Sequence, residues 1–368
     1  MNPIARLRSI DLLRGAVMVL MAIDHVRVYS GMPAGGPDPA IFFTRWITHF
    51  CVSGFVFFAG ASAFLYGQKL NDKKQLSRYL LSRGILLILL ELTLIRFCWS
   101  FNLDFRSFML AGVIWMLGWC MILLAGIIYL PSRAIWIGGL AMMAVQQVFG
   151  LVPSSWHWWN FIYTVSENGP GWINVLYVIA PWIGVMMAGY GFGKLLTFET
   201  ARRDRLCRQI GLSAIVLFLI AGSLMAFRHA GKQPFLFRLL GQQKYPPSQL
   251  YLLMTLGSLI ALVPIAEKAK GWLANILLVF GKVPLFYYVL HILLIHVLAL
   301  GLNTILYGNP HQEWYTTAPF AGVPEDKRWG LPLLYLIFII VELLLYMACR
   351  WFGRYKSQHA GQRWLKYL

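Results

Sequence analysis

Charge is what this sequence has least of. Only 12% of its 368 residues are Asp, Glu, Lys or Arg, and the acidic ones number 14 against 32 basic. Ordinary soluble domains carry roughly 25% charged and about 45–50% apolar residues, so a chain that is 59% hydrophobic is excluded from that class. Cysteine is scarce too. The five present, Cys51, Cys98, Cys120, Cys207 and Cys349, have no CxxC spacing, so neither a thiolate metal site nor a disulfide framework is indicated. All fall within or at the edge of apolar runs and are expected in the core. A clear internal repeat and a polar segment long enough to fold independently are both lacking, and a single domain over residues 1–368 is expected. The basic residues are dispersed among short loops with no recognised binding module, which argues against nucleic acid as a partner.

What is present is a succession of apolar runs of about 20 residues, the length that crosses a ~30 Å hydrocarbon core. They fall near residues 10–29, 50–68, 80–99, 108–130, 134–152, 172–196, 206–227, 250–266, 284–306 and 331–352. The expected fold is all-α, a polytopic transmembrane helix bundle of about ten spans. The first run is as long as a full span and has charged residues in its first turns, so it is expected to stay in the mature protein. Basic residues are retained on the cytoplasmic side. With the N-terminus inside, 22 of the 32 Lys and Arg fall on that side, which places both termini in the cytoplasm. The formal charge of +18 follows from that retention and from attraction to anionic lipid headgroups, with an anionic ligand on the cytoplasmic face as the alternative.

Three outer segments exceed a tight turn, at residues 153–171, 228–249 and 307–330. The first is rich in Trp and Tyr, which favour the membrane interface and also stack on sugar faces. Near the end, Gly281 and Pro284 interrupt an otherwise continuous apolar stretch. Proline removes a backbone donor and clashes with the preceding turn, so a break is expected there, and membranes tolerate breaks where the freed backbone faces protein or a watery cavity.

Ionisable residues inside spans are costly and are functional candidates by default. The first span, IDLLRGAVMVLMAIDHVRVY, has the highest density of them. Asp11 and Arg14, three apart, share a helical face and can form a salt bridge. The eleven-residue step from Arg14 to His25 returns to within about 20° of the same direction. Asp24 adjoins His25, although adjacent residues on a helix do not face each other automatically. In the second span His49, Ser53, Gly60 and Gly67 lie near one face, where small residues permit close helix approach. Tyr287, Tyr288, His291 and His296 add polar groups to the ninth span, but the two histidines are about 140° out of phase and cannot both address one site. Glu91 and Glu342 are intramembrane carboxylates, either functional or paired with a basic neighbour.

Three blocks, IDLLRGAVMVLMAIDHVR, RWITHFCVSGFVFFAGASAFLYG and FGKVPLFYYVLHILLIH, resemble the bacterial branch of the heparan-alpha-glucosaminide N-acetyltransferase catalytic-domain family, and the similarity runs over nearly the whole chain. The resemblance implies a multi-pass enzyme of the bacterial inner membrane. It would take acetyl from cytosolic acetyl-CoA and deliver it to an amine or hydroxyl of a glycan or amino-sugar acceptor on the other side. In the lysosomal member an Asn near the end of the first span and a His in the following loop are the proposed catalytic pair. Here Asp24 stands at the Asn position and residues 30–48 hold no histidine. His25 or His49 would serve instead, with His25 ranked first because it adjoins Asp24. Arg14, Lys73, Lys74, Arg78 and Arg83, with His291, are the expected acetyl-CoA-binding residues, the cations attracting the anionic nucleotide. Membrane lipid is a further expected partner, and a homodimer is left open. The rival class is a polytopic transporter or flippase for a small or lipid-linked substrate, which would often carry paired broken helices; one break is evident.

Overall fold

The computed structural model describes residues 7–106, 108–152, 159–163, 173–228, 231, 233–359 and 361–366. Most of the outer segment 153–171, and a few residues of 228–249, lie outside the described residues. The helices, numbered in chain order, are α1 (Arg8–Tyr29), α2 (Pro39–Trp46), α3 (Phe50–Leu70), α4 (Lys73–Leu90), α5 (Arg96–Ser100), α6 (Val113–Ile127), α7 (Ser132–Ala144), α8 (Trp159–Ile162), α9 (Trp182–Leu196), α10 (Thr200–Arg228), α11 (Phe235–Leu240), α12 (Gln249–Lys268), α13 (Trp272–Lys282), α14 (Pro284–Tyr307) and α15 (Leu331–Gln358).

Among the described residues, five helical stretches are long and apolar enough to cross a membrane: Pro39–Leu70, Thr200–Arg228, Gln249–Lys268, Pro284–Tyr307 and Leu331–Gln358. A helix also occupies each of the other stretches expected to span, but with differences. α6, α7 and α9 have only 15, 13 and 15 residues. At 1.5 Å per residue the shortest is about 20 Å long, less than a ~30 Å core. The run expected at 134–152 leaves α-helix after Ala144 and tightens into a 3-10 turn, Gln146–Leu151. The run expected from residue 172 becomes helical only at Trp182, because Ile173–Val175 (β2) pairs in parallel with Met109–Ala111 (β1). Ladder bonds satisfy backbone groups that would otherwise be stranded in an apolar setting.

Local chemistry sets the helix ends. Asp38 caps α2, accepting from Ile41 N at 3.0 Å ahead of Pro39. Asp72 caps α4 through Gln75 N (3.1 Å) and Lys74 N (2.7 Å), and those donors hold its carboxyl below the usual carboxylate range. The break expected around Gly281 and Pro284 is present: α13 ends at Lys282 and Pro284 opens α14 in its first turn, where its missing N–H costs nothing.

The chain groups into two compact units. One contains residues 52–92 and 106–267, the other residues 8–51, 93–105 and 268–368. In the first, α4 and α6 cross where Gly84 meets Gly118: a Cβ on either would lie 2.6–2.7 Å from the other's carbonyl oxygen. Gly60 likewise brings α3 against α9, where an added Cβ would overlap Met186 O. Among the described residues Glu91 forms no ion pair with a base. It lies at a π-helical turn, Glu91–Ile95, and its Oε2 accepts from Ile114 N (2.9 Å) and Trp115 N (3.2 Å), capping α6 from another helix.

In the second unit α1 packs on α13, α14 and α15. A Cβ built at Gly15 would overlap Leu277 O, and one at Gly281 would overlap Asp11 O, so α1 and α13 touch backbone to backbone and run antiparallel. Gly281→Ala is therefore expected to force them apart and lower stability by about 1–3 kcal/mol or more, read as a fall in the thermal midpoint of the purified protein. An unchanged midpoint would refute the contact. All five cysteines are buried, in keeping with core positions.

Candidate active site

The polar residues of α1 gather around them groups from four other segments of the second unit. α1 and α14 run in the same direction: Tyr287 Oη lies 3.2 Å from Met18 O, His25 meets His291, and Tyr29 packs on His296. Between His25 Nδ1 and His291 Nε2 the separation is 2.6 Å, with the rings nearly parallel at 18° and centroids 4.8 Å apart. Trp99 from α5 presents its edge to His25 at 4.7 Å, and Tyr288 does so at 6.4 Å.

The hydrogen bonds assign the protons. His291 Nδ1 lies 3.0 Å from Tyr287 O. A carbonyl only accepts, so His291 carries its hydrogen on Nδ1 and, when neutral, offers the lone pair of Nε2. The hydrogen between the rings then belongs to His25 Nδ1, which leaves the lone pair of His25 on Nε2. His291 is fully buried whereas His25 is only partly so. The partly exposed imidazole thus carries its lone pair on Nε2, and the buried one fixes its tautomer and orientation. Beneath the pair, Tyr287 Oη donates to Glu342 Oε1 at 2.5 Å, so Glu342 is tied to a tyrosine.

Asp24 makes ion pairs with two arginines: Oδ1 with Arg27 Nε at 2.9 Å and Oδ2 with Arg45 at 2.8 Å. Arg27 also donates to Met32 O (2.7 Å), and Arg45 to Thr48 Oγ1 (2.8 Å). The carboxylate thereby clamps the end of α1 to α2. His49 Nδ1 donates to Arg45 O at 3.2 Å, so His25 and His49 flank one Asp24–Arg45 pair while their imidazoles engage different partners.

The remaining candidates are placed as follows. Arg14 pairs with Asp11 at 3.5 Å, as the three-residue spacing predicts. Lys73, Lys74, Arg78 and Arg83 lie on α4 in the other unit, where Lys73 donates to Tyr129 O and Arg83 to Tyr79 Oη. His291, grouped with those cations on sequence, faces His25. His296 points elsewhere, with Nδ1 on Cys98 O (3.0 Å), Nε2 on Gln312 Oε1 (3.1 Å) and its ring stacked on Phe101; both nitrogens are engaged by protein acceptors. Sequence reasoning missed Arg27, Arg45 and Trp99 as parts of this site. Arg27 was within reach, three residues from Asp24 on the same face; nothing in the sequence pointed to the other two.

Comparison with known families gives one finding. The model of a family described as "Heparan-alpha-glucosaminide N-acetyltransferase, catalytic" matches residues 6–229, more than half of the chain. The matched stretch includes Asp24, His25, Arg45 and His49 but stops short of α14 and His291. No curated protein sequence matches the chain.

Proposed function

The chain belongs to the heparan-alpha-glucosaminide N-acetyltransferase catalytic family, and from that premise we propose that it moves acetyl from cytosolic acetyl-CoA to an amine or hydroxyl of a glycan-like acceptor on the extracytoplasmic side of a bacterial inner membrane. Family membership makes it a membrane acetyltransferase. The donor, the acceptor class, a ten-span arrangement with cytoplasmic termini and the residue roles are our reading. The observation that carries it is the His25–His291 contact, with His291 held by Tyr287 O so that the partly exposed His25 ring carries its lone pair on Nε2.

In this mechanism His25 Nε2 accepts the acceptor's proton as its nitrogen or oxygen attacks the thioester carbonyl. The new C–N or C–O bond forms, the C–S bond breaks, and the proton on His25 passes to the departing thiolate. As His25 becomes cationic, its Nδ1–H bond to His291 Nε2 strengthens, which stabilises the charge while it exists. Imidazole, with an ordinary pKa of ~6.5, suits this exchange. Asp24 holds Arg27 and Arg45 and so keeps α2 against the end of α1 on which His25 sits. Lys73, Lys74, Arg78 and Arg83 supply positive potential for the CoA nucleotide.

The test is acetyl transfer itself. Purified protein incubated with radiolabelled acetyl-CoA and a panel of amino sugars is expected to yield labelled sugar. A ternary complex should give sequential kinetics, whereas an acetyl-imidazole on His25 would give ping-pong kinetics. Transport of a sugar across vesicles without acetyl-CoA, and no label transferred, would sink the reading in favour of a transporter.

A further inference from the structure

The first unit holds an apolar groove of about 700 Å³ between α3, α7, α9, α10 and α12, a volume in the range of small-molecule sites. Its walls are aliphatic and aromatic, Trp136, Leu140, Phe192, Ile210 and Leu217 among them, and the lining residues with an amide or charged head are Gln249 and Lys194. These mark opposite ends. Trp182, at the start of α9, meets Tyr251, near the start of α12, so the two helices run alike, and Gln249 opens α12 while Lys194 closes α9. At the Gln249 end α7 finishes, with Gln249 Nε2 donating to Ala144 O at 3.1 Å. From Trp182 to Lys194 the helix rises about 18 Å at 1.5 Å per residue, close to one leaflet of a ~30 Å core.

The Lys194 end is cationic. Phe198 lines the groove there, and the Arg202 guanidinium lies over its ring at 4.5 Å. The neighbouring Arg203 is bound to Asp204 at 3.1 Å, while Lys194 and Arg202 are both exposed. A slot one leaflet deep, apolar along its length and bearing two cations at one mouth, matches one acyl chain of a lipid whose headgroup is anionic.

We propose that this groove is a binding site for one anionic phospholipid, one of its two acyl chains lying along α7, α10 and α12 and its phosphate held by Lys194 and Arg202. A charge near an anionic headgroup contributes about 1 kcal/mol per Lys or Arg, so each cation removed should weaken binding about fivefold.

The experiment needs no acetyl transfer. Protein in vesicles of equal parts phosphatidylcholine and phosphatidylglycerol is photolysed with a phosphatidylglycerol probe carrying a photoreactive acyl chain, and the labelled residues are mapped by mass spectrometry. Label on α7, α10 and α12 within the groove is expected, displaced by unlabelled phosphatidylglycerol and not by phosphatidylcholine. Lys194→Ala and Arg202→Ala should each weaken displacement about fivefold, Lys270→Ala should leave it unchanged, and Leu140→Trp with Ile210→Trp should fill the groove and abolish the label. Label spread evenly over lipid-facing surfaces, or equal displacement by the two lipids, overturns the proposal. The wild-type map decides the matter even if a variant fails to fold.

Discussion

His25→Ala is expected to leave a folded, CoA-binding protein whose acetyl transfer has fallen by about two to four orders of magnitude, the usual contribution of positioned proton transfer. The geometry makes the loss specific. Of the pair, His25 is the partly exposed ring and has its lone pair on Nε2, whereas His291 is fully buried and holds its hydrogen on Nδ1 against Tyr287 O, so His25→Ala removes the base itself. His291→Ala should be milder, because it strips the orienting partner and frees the tautomer of His25 without removing the base. Comparable support groups around reactive centres are worth about 10–100-fold. The measurement is turnover with acetyl-CoA binding followed in parallel, so that a fall in kcat is separated from a fall in affinity. Full turnover in His25→Ala together with loss in His49→Ala would transfer the proton to His49. Activity in both would place the chemistry elsewhere.

How far this site could be read from the chain alone depends on what kind of information each part uses. Helix phase and spacing are local, and they anticipated the Asp11–Arg14 pair, the break between Gly281 and Pro284, the opposed directions of His291 and His296 and the close approach at Gly60. They tell where a side chain points along its own helix. They do not tell what stands opposite, and the His25–His291 contact joins positions 266 residues apart. The same limit hid Arg45, which reaches Asp24 from α2, and the use of Glu91 to cap α6, since a lone carboxylate in an apolar run reads alike whether it meets a cation or a helix end. Hydropathy located helical stretches well but overstated several lengths. It averages over residues and does not register that segments such as β1 and β2 satisfy their backbone with each other.

Asp24→Ala is the second change expected to have a large effect, and its outcome separates scaffolding from chemistry. The Asp24 side chain is 14% exposed and those of Arg27 and Arg45 are 11% and 12% exposed, so the three charges are largely withdrawn from water. Removing one partner of such a buried network costs about 3–5 kcal/mol, here by leaving two guanidiniums facing each other across the vacated position. A large fall in thermal midpoint is expected, with turnover lost alongside. Asp24→Asn should be intermediate, because the amide keeps one accepting oxygen but turns an N–H toward the second arginine. The decisive variant combines Asp24→Ala with Arg45→Leu, which removes the repulsion by taking away one of the two cations. If Asp24 serves only to clamp α2 to α1, the double variant should regain much of the midpoint and much of the turnover together. If the negative charge also supports His25 as it becomes cationic, stability should return while kcat stays low, because relieving the repulsion restores the scaffold but not the field that favours an imidazolium. A double variant no more stable than Asp24→Ala would mean that the Asp24–Arg45 contact is not what holds α2 in place.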